Sequence, residues 1–258
     1  MIEPGAVFIV WTAVLGAAVG SFLNVCIYRL PRHLSLWWPP SACPSCGRRL
    51  SWYENVPIAG YLALRGRCRT CRAAIGPRYA IVEALTALMF ALGAWYYGPT
   101  LLLASQLVLG CALLVLFAID LEHQLLPNAI TLPFIPIGFA FSCFVGPGWL
   151  ASLIGILVGG GSLLAMFYAW LWLRKQEALG MGDPKMLAMI GAFVGWKLTI
   201  LTLVLASFSG SIVGVALIVS RRARMQSLIP FGCFLAVGAA VAATVGPAIL
   251  DWYLSFYF

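Results

Sequence analysis

Four cysteines form two C-x-x-C pairs, a pattern typical of a metal site. Cys43 and Cys46 make the first pair, Cys68 and Cys71 the second, and 21 residues separate the pairs. Four thiolates at this spacing build the closed tetrahedral site of a structural zinc ion. Two disulfides or four free thiols are the alternatives, but cytosolic thiols are kept reduced, which favours zinc. We therefore predict that these four cysteines bind one structural Zn²⁺.

Two of the three aspartates, Asp120 and Asp183, lie 63 residues apart at the ends of apolar runs. Two helices and one turn fit between them, so both carboxylates return to the same face. A pair that shares a proton leaves one carboxylate as a base that activates water and the other as an acid that protonates a departing amine. Gly180 and Gly182 would allow close backbone approach. The alternatives are two charges that merely end helices, or a catalytic metal site that includes His123.

The composition excludes an ordinary soluble domain. Of 258 residues, 62% are hydrophobic and 9% are charged, and the mean hydropathy is +0.97. Because about 20 apolar residues cross the hydrocarbon core, the apolar runs predict an all-α polytopic membrane protein with about eight transmembrane helices. The predicted spans are Gly5–Tyr28, Tyr79–Tyr97, Thr100–Ile119, Ala129–Val145, Trp149–Leu173, Met186–Trp196, Leu198–Ser220 and Ser227–Leu250. The sixth is short, which leaves a re-entrant hairpin or a thinned bilayer open.

The positive charges are clustered, which predicts the topology. The formal net charge is +8, and nine of the sixteen cations lie between Arg29 and Arg78. Three more lie in 174–185 and three in 221–224, with Lys197 as the exception. The positive-inside rule places these clusters in the cytosol and the amino terminus outside, with the first span retained as an anchor. We expect anionic lipid, and no nucleic acid, to be what this charge attracts.

Three functional segments are expected. Residues 1–28 form the first transmembrane helix, 29–78 form a cytosolic zinc-binding loop, and 79–258 form the remaining bundle. The 50-residue loop is too small for a hydrophobic core of its own, so it needs a metal or docking on the bundle. Single cysteines in the apolar runs, and small-residue runs such as 159–162, are expected to serve close helix packing. The single cysteines are Cys26, Cys111, Cys143 and Cys233.

Several motifs, spread in order over residues 19–197, resemble the bifunctional type IV prepilin peptidases, which combine a leader peptidase with an N-methyltransferase. They are GSFLNVCIYRLP at 20–31, the cysteine pairs, ENVP at 54–57, RGRC at 65–68, RY at 78–79 with Glu83, DLEHQLLP at 120–127 and GMGDPK at 180–185. Two positions depart from the family pattern. Asn128 stands where many members have aspartate, so it is not expected in the catalytic pair, and Pro184 stands where a bulky residue is usual.

The resemblance implies a function. Asp120 and Asp183 would be the catalytic pair of an integral-membrane aspartic peptidase of the bacterial inner membrane, with the active site facing the cytosol. The substrate would be a prepilin or pseudopilin of a type IV pilus or type II secretion system, cut after a glycine that follows its basic leader. The cysteine loop would belong to the methyltransferase, which uses S-adenosylmethionine to methylate the new amino terminus. The residues that bind this methyl donor are not evident from the sequence. A peptidase without methyl transfer, a membrane transporter and a noncatalytic zinc-stapled scaffold are the alternatives.

Overall fold

The computed structural model describes residues 5–175, 180–220 and 230–256. Within these ranges the regular elements are helices, and β pairing is confined to two isolated bridges in the loop. The α-helices are α1 Ala6–Arg29, α2 Ala59–Ala63, α3 Arg78–Tyr97, α4 Leu101–His123, α5 Asn128–Phe144, α6 Trp149–Arg174, α7 Gly182–Val219 and α8 Phe231–Leu254. The fold-class prediction is confirmed: this is an all-α polytopic membrane protein.

Seven helices cover the eight predicted spans, because α7 contains both the sixth and the seventh. Among the described residues, six helices are long and apolar enough to cross a membrane, and α5 is a shorter apolar helix. The 38-residue helix α7 is interrupted at Gly195, whose φ of 75° and ψ of 169° are not helical. This break separates the sixth predicted span from the seventh, and the sixth begins at Gly182 instead of Met186. The predicted start of the eighth span, Ser227, and the cations at 221–224 lie outside the described residues.

The chain divides into two compact units, Met1–Leu107 and Val108–Phe258. In the first unit, α1 packs on α3 with the two helices antiparallel. A Cβ built on Gly16 would lie 2.7 Å from Phe90 Cβ, and one built on Gly20 would lie 2.8 Å from Glu83 Cα. Any larger side chain at these two positions would push the helices apart, so glycine sets their separation.

In the second unit, α5, α6 and α8 each pack against α7. The contact between α6 and α7 is made by backbone: a Cβ on Gly191 would lie 2.2 Å from the carbonyl oxygen of Gly155, and a Cβ on Gly159 would lie 2.6 Å from that of Leu187. Ser152 reinforces this contact, because its hydroxyl donates to the carbonyl oxygen of Ala192 at 2.7 Å. Close packing through small residues is therefore confirmed at Gly159.

Candidate functional site

Asp120 lies in the last turn of α4 and is 4% exposed. Its Oδ2 accepts a hydrogen bond from the backbone N–H of Cys233 at 2.9 Å. Because α8 begins at Phe231, this N–H belongs to the first helical turn, where backbone donors have no partner inside the helix. The start of α8 therefore supplies a fixed donor that orients the Asp120 carboxylate.

Asp183 is the second residue of α7 and is 6% exposed. Its backbone N–H donates to the carbonyl oxygen of Gly180 at 3.2 Å. A Cβ built on Gly180 would lie 3.6 Å from Asp183 Oδ2, so this glycine stands against the carboxylate. The G-x-G-D sequence thus forms the turn that presents Asp183 at the start of its helix.

The two aspartates lie in one site of the second unit. Leu126 packs against residues on both sides of the site. A Cβ on Gly182, next to Asp183, would lie 2.7 Å from Leu126 Cβ. A Cβ on Gly232 would lie 3.1 Å from Leu126 Cδ2 and 2.8 Å from Asp120 Oδ2. The site is therefore a pair of buried carboxylates at the ends of α4 and α7.

Sequence reasoning missed three residues of this site: Leu126, Gly232 and Cys233. Cys233 was expected to be a packing residue, and it is buried, with its thiol donating to the carbonyl oxygen of Phe117 at 3.5 Å. The hydrogen bond to Asp120 comes from the backbone N–H of Cys233, so the identity of the residue could not predict it. A sequence signal existed nearby, since Pro230 followed by an apolar run predicts a helix start with unpaired N–H groups.

Asn128 and Lys185, which are close in sequence to the two aspartates, bond to each other. Asn128 Oδ1 accepts a hydrogen bond from Lys185 Nζ at 2.9 Å, which links the first residue of α5 to the first turn of α7.

Among the described residues, Asp120, Asp183 and His123 do not form a cluster of metal-binding geometry, whereas the four cysteines do. The catalytic-metal alternative for the carboxylates therefore receives no support from the structure.

The four cysteines of the two C-x-x-C pairs converge in the first unit. All eight cysteines are free thiols, and the four Sγ atoms lie within 4.8 Å of one another. Cys43 Sγ and Cys71 Sγ are 3.8 Å apart, and Cys46 Sγ and Cys68 Sγ are 4.0 Å apart. A tetrahedral site with Zn–S bonds of about 2.3 Å has sulfur atoms about 3.8 Å apart. The donor set therefore fits a tetrahedral metal ion.

The two pairs lie on hairpins with the same hydrogen-bond pattern, offset by 25 residues. The N–H of Cys43 donates to the carbonyl oxygen of Arg48, and that of Cys68 to the carbonyl oxygen of Ala73, each at 2.9 Å. The fifth residue of each hairpin has positive φ, 69° at Gly47 and 56° at Arg72. The loop therefore presents its cysteines from a duplicated turn.

Backbone donors also favour the metal-binding form of two thiols. Hydrogen bonds from the N–H groups of Cys71 and Thr70 lower the pKa of Cys68 to about 6, and those of Cys46 and Ser45 lower the pKa of Cys43. At Cys71, the Ala73 N–H acts in the same direction, but burial and the neighbouring cysteines together raise the pKa to about 11. Since the thiolate is the ligand form, the hairpins stabilise it on one cysteine of each pair.

An ion pair braces the first hairpin. Arg48 Nη2 lies 2.6 Å from Glu54 Oε1, and the Glu54 side chain is 1% exposed. The backbone N–H of Ser51 donates to Glu54 Oε2 at 2.8 Å. Hydrogen bonding to Arg48, followed by that to Ser51, lowers the pKa of the Glu54 carboxyl below its ordinary value.

Comparison with known proteins assigns the family. Residues 107–215 match the sequence model of the type IV leader peptidase family. The chain is 38% identical to a Prepilin leader peptidase/N-methyltransferase of Pseudomonas aeruginosa, over 96% of this chain and 94% of that protein. Proteins of the same name from Pseudomonas putida, at 38% identity over 96% and 93%, and Myxococcus xanthus, at 42% over 84% and 65%, are also similar. The chain belongs to the type IV leader peptidase family.

The family matches follow the two units. The bacterial peptidase A24 N-terminal domain matches residues 14–97 and contains the four cysteines, while the leader peptidase match contains Asp120 and Asp183. Helix α8, which holds Asp120 through Cys233, lies beyond both matches. No solved structure gives a significant match.

Proposed function

We propose that this leader peptidase family member cleaves the leader of prepilins or pseudopilins and then methylates the new amino terminus. The observation that carries the proposal is the buried carboxylate pair Asp120 and Asp183 in the part of the chain that matches the peptidase model. The names of its relatives, which combine a leader peptidase with an N-methyltransferase, support the two activities. The protein is a multi-pass protein of the inner membrane.

The carboxylate pair would perform general acid and base catalysis. One ionised carboxylate takes a proton from water, whose oxygen attacks the scissile carbonyl carbon, and the protonated carboxyl gives its proton to the departing amine as the C–N bond breaks. Water is consumed and the pair returns to its single shared proton after exchange with solvent. Because the pair titrates jointly, the two roles belong to the dyad. The Cys233 N–H would keep the Asp120 carboxylate oriented through both steps.

The substrate and the topology are proposed together. With the cationic segments in the cytosol and the amino terminus outside, both carboxylates lie at cytosolic helix ends. A prepilin whose basic leader remains in the cytosol and whose hydrophobic helix lies in the bilayer would present its scissile bond, after a glycine, at this depth. The family resemblance supports this placement.

The four cysteines are proposed as ligands of one structural zinc ion. Four sulfur ligands leave no open coordination position, so the ion would supply folding energy to the loop and no Lewis-acid chemistry. The sulfur distances and the backbone N–H groups that favour thiolates support this assignment. Residues 29–78 would then form a folded cytosolic platform, and 79–258 the rest of the transmembrane bundle, which contains the peptidase pair.

Methyl transfer is proposed to reside in the first unit, around the zinc-stapled loop. The N-terminal amine, after loss of one proton, takes a methyl group from the sulfonium of S-adenosylmethionine. The C–S bond breaks, a C–N bond forms, and the products are a methylammonium, a neutral thioether and a proton. The second unit is occupied by the carboxylate pair, whereas the first carries the family's N-terminal domain.

The test is to incubate the purified protein with a prepilin peptide and labelled S-adenosylmethionine, and to measure both products by mass. Cleavage after the glycine together with a methylated new amino terminus is expected. Cleavage without methylation would identify a peptidase that lacks methyl transfer. If the peptide is not cleaved, a transporter or a zinc-stapled scaffold becomes the better proposal.

A further inference from the structure

The first unit contains a buried polar cluster inside its helices that neither the carboxylate pair nor the cysteines use. Asn24 on α1 is 3% exposed, and Glu83 on α3 is 8% exposed. Each lies five residues from the helix end that borders the loop, or about 7.5 Å at 1.5 Å per residue. Ionisable and polar side chains at such a depth are costly, and their default interpretation is functional.

The Asn24 side chain is held with its oxygen unpaired. Asn24 Nδ2 donates to the carbonyl oxygen of Tyr79 at 3.0 Å, whereas Asn24 Oδ1 is buried without a hydrogen-bond partner. Tyr79 precedes Glu83 by one helical turn, and Gly20, one turn before Asn24, lets the Glu83 backbone come close to α1. The unpaired amide oxygen therefore lies on the helix contact that also carries the Glu83 carboxylate.

Glu83 connects this contact to the loop. Its Oε2 accepts a hydrogen bond from the backbone N–H of Ile58 at 2.8 Å. Ile58 has φ 62° and ψ −53°, a conformation that is costly for a β-branched residue and is found where the surroundings enforce it. A neutral backbone N–H from a strained turn therefore donates to this carboxylate.

The chemistry of the cluster selects a cation with several N–H donors. A carboxylate and an amide oxygen are both acceptors, and buried acceptors are normally paired. A primary ammonium supplies three donors and a positive charge, which complement both of these acceptors. Two such groups take part in methyl transfer: the ammonium of the methyl donor's amino-acid end and the new amino terminus of the cleaved substrate.

We propose that Asn24 and Glu83 bind a primary ammonium group for methyl transfer. This inference rests on the proposed function, because it assigns the methyl transfer proposed for the first unit to residues of α1 and α3. The ammonium group comes either from the methyl donor or from the cleaved substrate. Binding there would place the reacting groups beside the Ile58 turn, where the loop meets its helices.

The first test replaces Glu83 with glutamine. E83Q can still accept the hydrogen bond from Ile58 but has no charge, so it separates ammonium binding from support of the turn. We expect methylation of a pre-cleaved peptide to fall about 10- to 100-fold, the usual effect of losing a charge-assisted hydrogen bond. Cleavage of the intact prepilin peptide, measured in the same preparation, is expected to stay within about twofold of the wild-type rate, because the carboxylate pair belongs to the second unit.

Binding measurements identify the source of the ammonium. The ligands are S-adenosylhomocysteine and its analogue without the amino group, and the pre-cleaved peptide with a free or an acetylated amino terminus. In the wild-type protein one pair should differ in Kd, and that difference should disappear in E83Q. A difference within the first pair assigns the site to the methyl donor, and one within the second pair assigns it to the substrate.

Two further variants guard against a folding effect. Thr86→Val, on the same helix contact, removes a hydroxyl that donates only within its own helix, to the carbonyl oxygen of Val82 at 2.7 Å, and should change neither activity. Asn24→Leu removes the amide and should weaken the same ammonium-dependent binding as E83Q. Three outcomes would each overturn the proposal. The first is a wild-type protein whose Kd does not depend on the amino group of either ligand pair, and the second is a Kd difference that persists in E83Q and N24L. The third is a parallel loss of cleavage and methylation. These binding results remain decisive even if the wild-type protein does not methylate.

Discussion

The cysteine cluster and the carboxylate pair are built on different principles. Each cysteine pair lies on one short hairpin, and hydrogen bonds between residues five positions apart set its shape. Asp120 and Asp183 come from helices 63 positions apart in the chain, and a third helix, α8, holds Asp120. The first site is thus set mostly by local turn chemistry, while the second exists only when the helices of its unit have packed.

The two regions also differ in what stabilises them. Glycine-mediated backbone contacts such as Gly155 to Gly191 hold the helices of the second unit, and lipid can solvate their outer faces. The loop has little apolar core, so its stability is expected to depend on the metal. Damage to one region should therefore leave the chemistry of the other measurable, and the following experiments test that independence.

The largest effect is expected from Asp120→Asn and Asp183→Asn. Each change preserves size but removes the ionisable group, so cleavage should fall by about 10²- to 10⁴-fold. Methylation of a pre-cleaved peptide should continue, because that substrate does not need the pair. Asp251→Asn, at the exposed end of α8, is the matched control and should cleave normally. Near-normal cleavage by a well-folded D120N or D183N protein would refute the dyad.

Removal of the metal should have the opposite selectivity. Cys43→Ser combined with Cys71→Ser should reduce bound zinc from about one ion per chain to background, because two thiolate ligands are lost. Methylation should be abolished as the loop loses its structure, while measurable cleavage remains. Metal analysis and both product assays on one preparation give the result, with Cys143→Ser as the matched control.

Two outcomes of the cysteine experiment contradict the assignment. Cleavage and methylation that fall in parallel in a folded protein would make the loop part of the peptidase site. Methylation that persists without metal would exclude the loop as the platform for methyl transfer.

A smaller, more local effect is expected from Gly232→Ala. The added Cβ would lie 2.8 Å from Asp120 Oδ2, so the carboxylate or the start of α8 must shift. Displacements of about 1 Å in a catalytic group cost about 10²-fold in rate, and cleavage should fall by about that factor or less. Gly161→Ala is the control, since a Cβ there meets nothing within 4 Å. Equal cleavage rates for the two variants would show that the α8 contact does not position Asp120.

The smallest effect concerns the brace between Arg48 and Glu54. Glu54→Gln should speed zinc release to a chelator at pH 7 by about two- to fivefold, the range of ion pairs that keep solvent contact, because the Arg48 end of this pair is partly exposed. Because Arg48 holds the pKa of Glu54 below its ordinary value, the brace is complete above the unfolded value of about 4.3 and is lost as the pH falls through the folded value. The wild-type advantage should therefore persist at pH 5. Equal release rates at pH 7 would show that the ion pair does not brace the hairpin.

Much of the architecture was predictable because it depends on local composition. Hydropathy alone located the spans, and even the weak sixth span matches a real segment bounded by Gly195. The bounds were less predictable: the sixth span begins at Gly182, because the polar residues Asp183 and Lys185, which hydropathy excludes from a span, already belong to the first turn of the helix. Cysteine spacing predicted the cluster, but not that the whole hairpin around it is duplicated.

The sequence by itself determined the all-helical membrane fold, the candidate metal ligands and the two aspartates, since run length and motif spacing are properties of the chain. Only the tertiary structure decided that the N–H of Cys233 holds Asp120, that Leu126 lies between the two aspartates' neighbours, and that Asn24 and Glu83 share a helix contact. The physical reason is that these helices are apolar on all sides, so no amphipathic pattern marks the face that meets a neighbour. Close approach of small residues and backbone hydrogen bonds decide it instead.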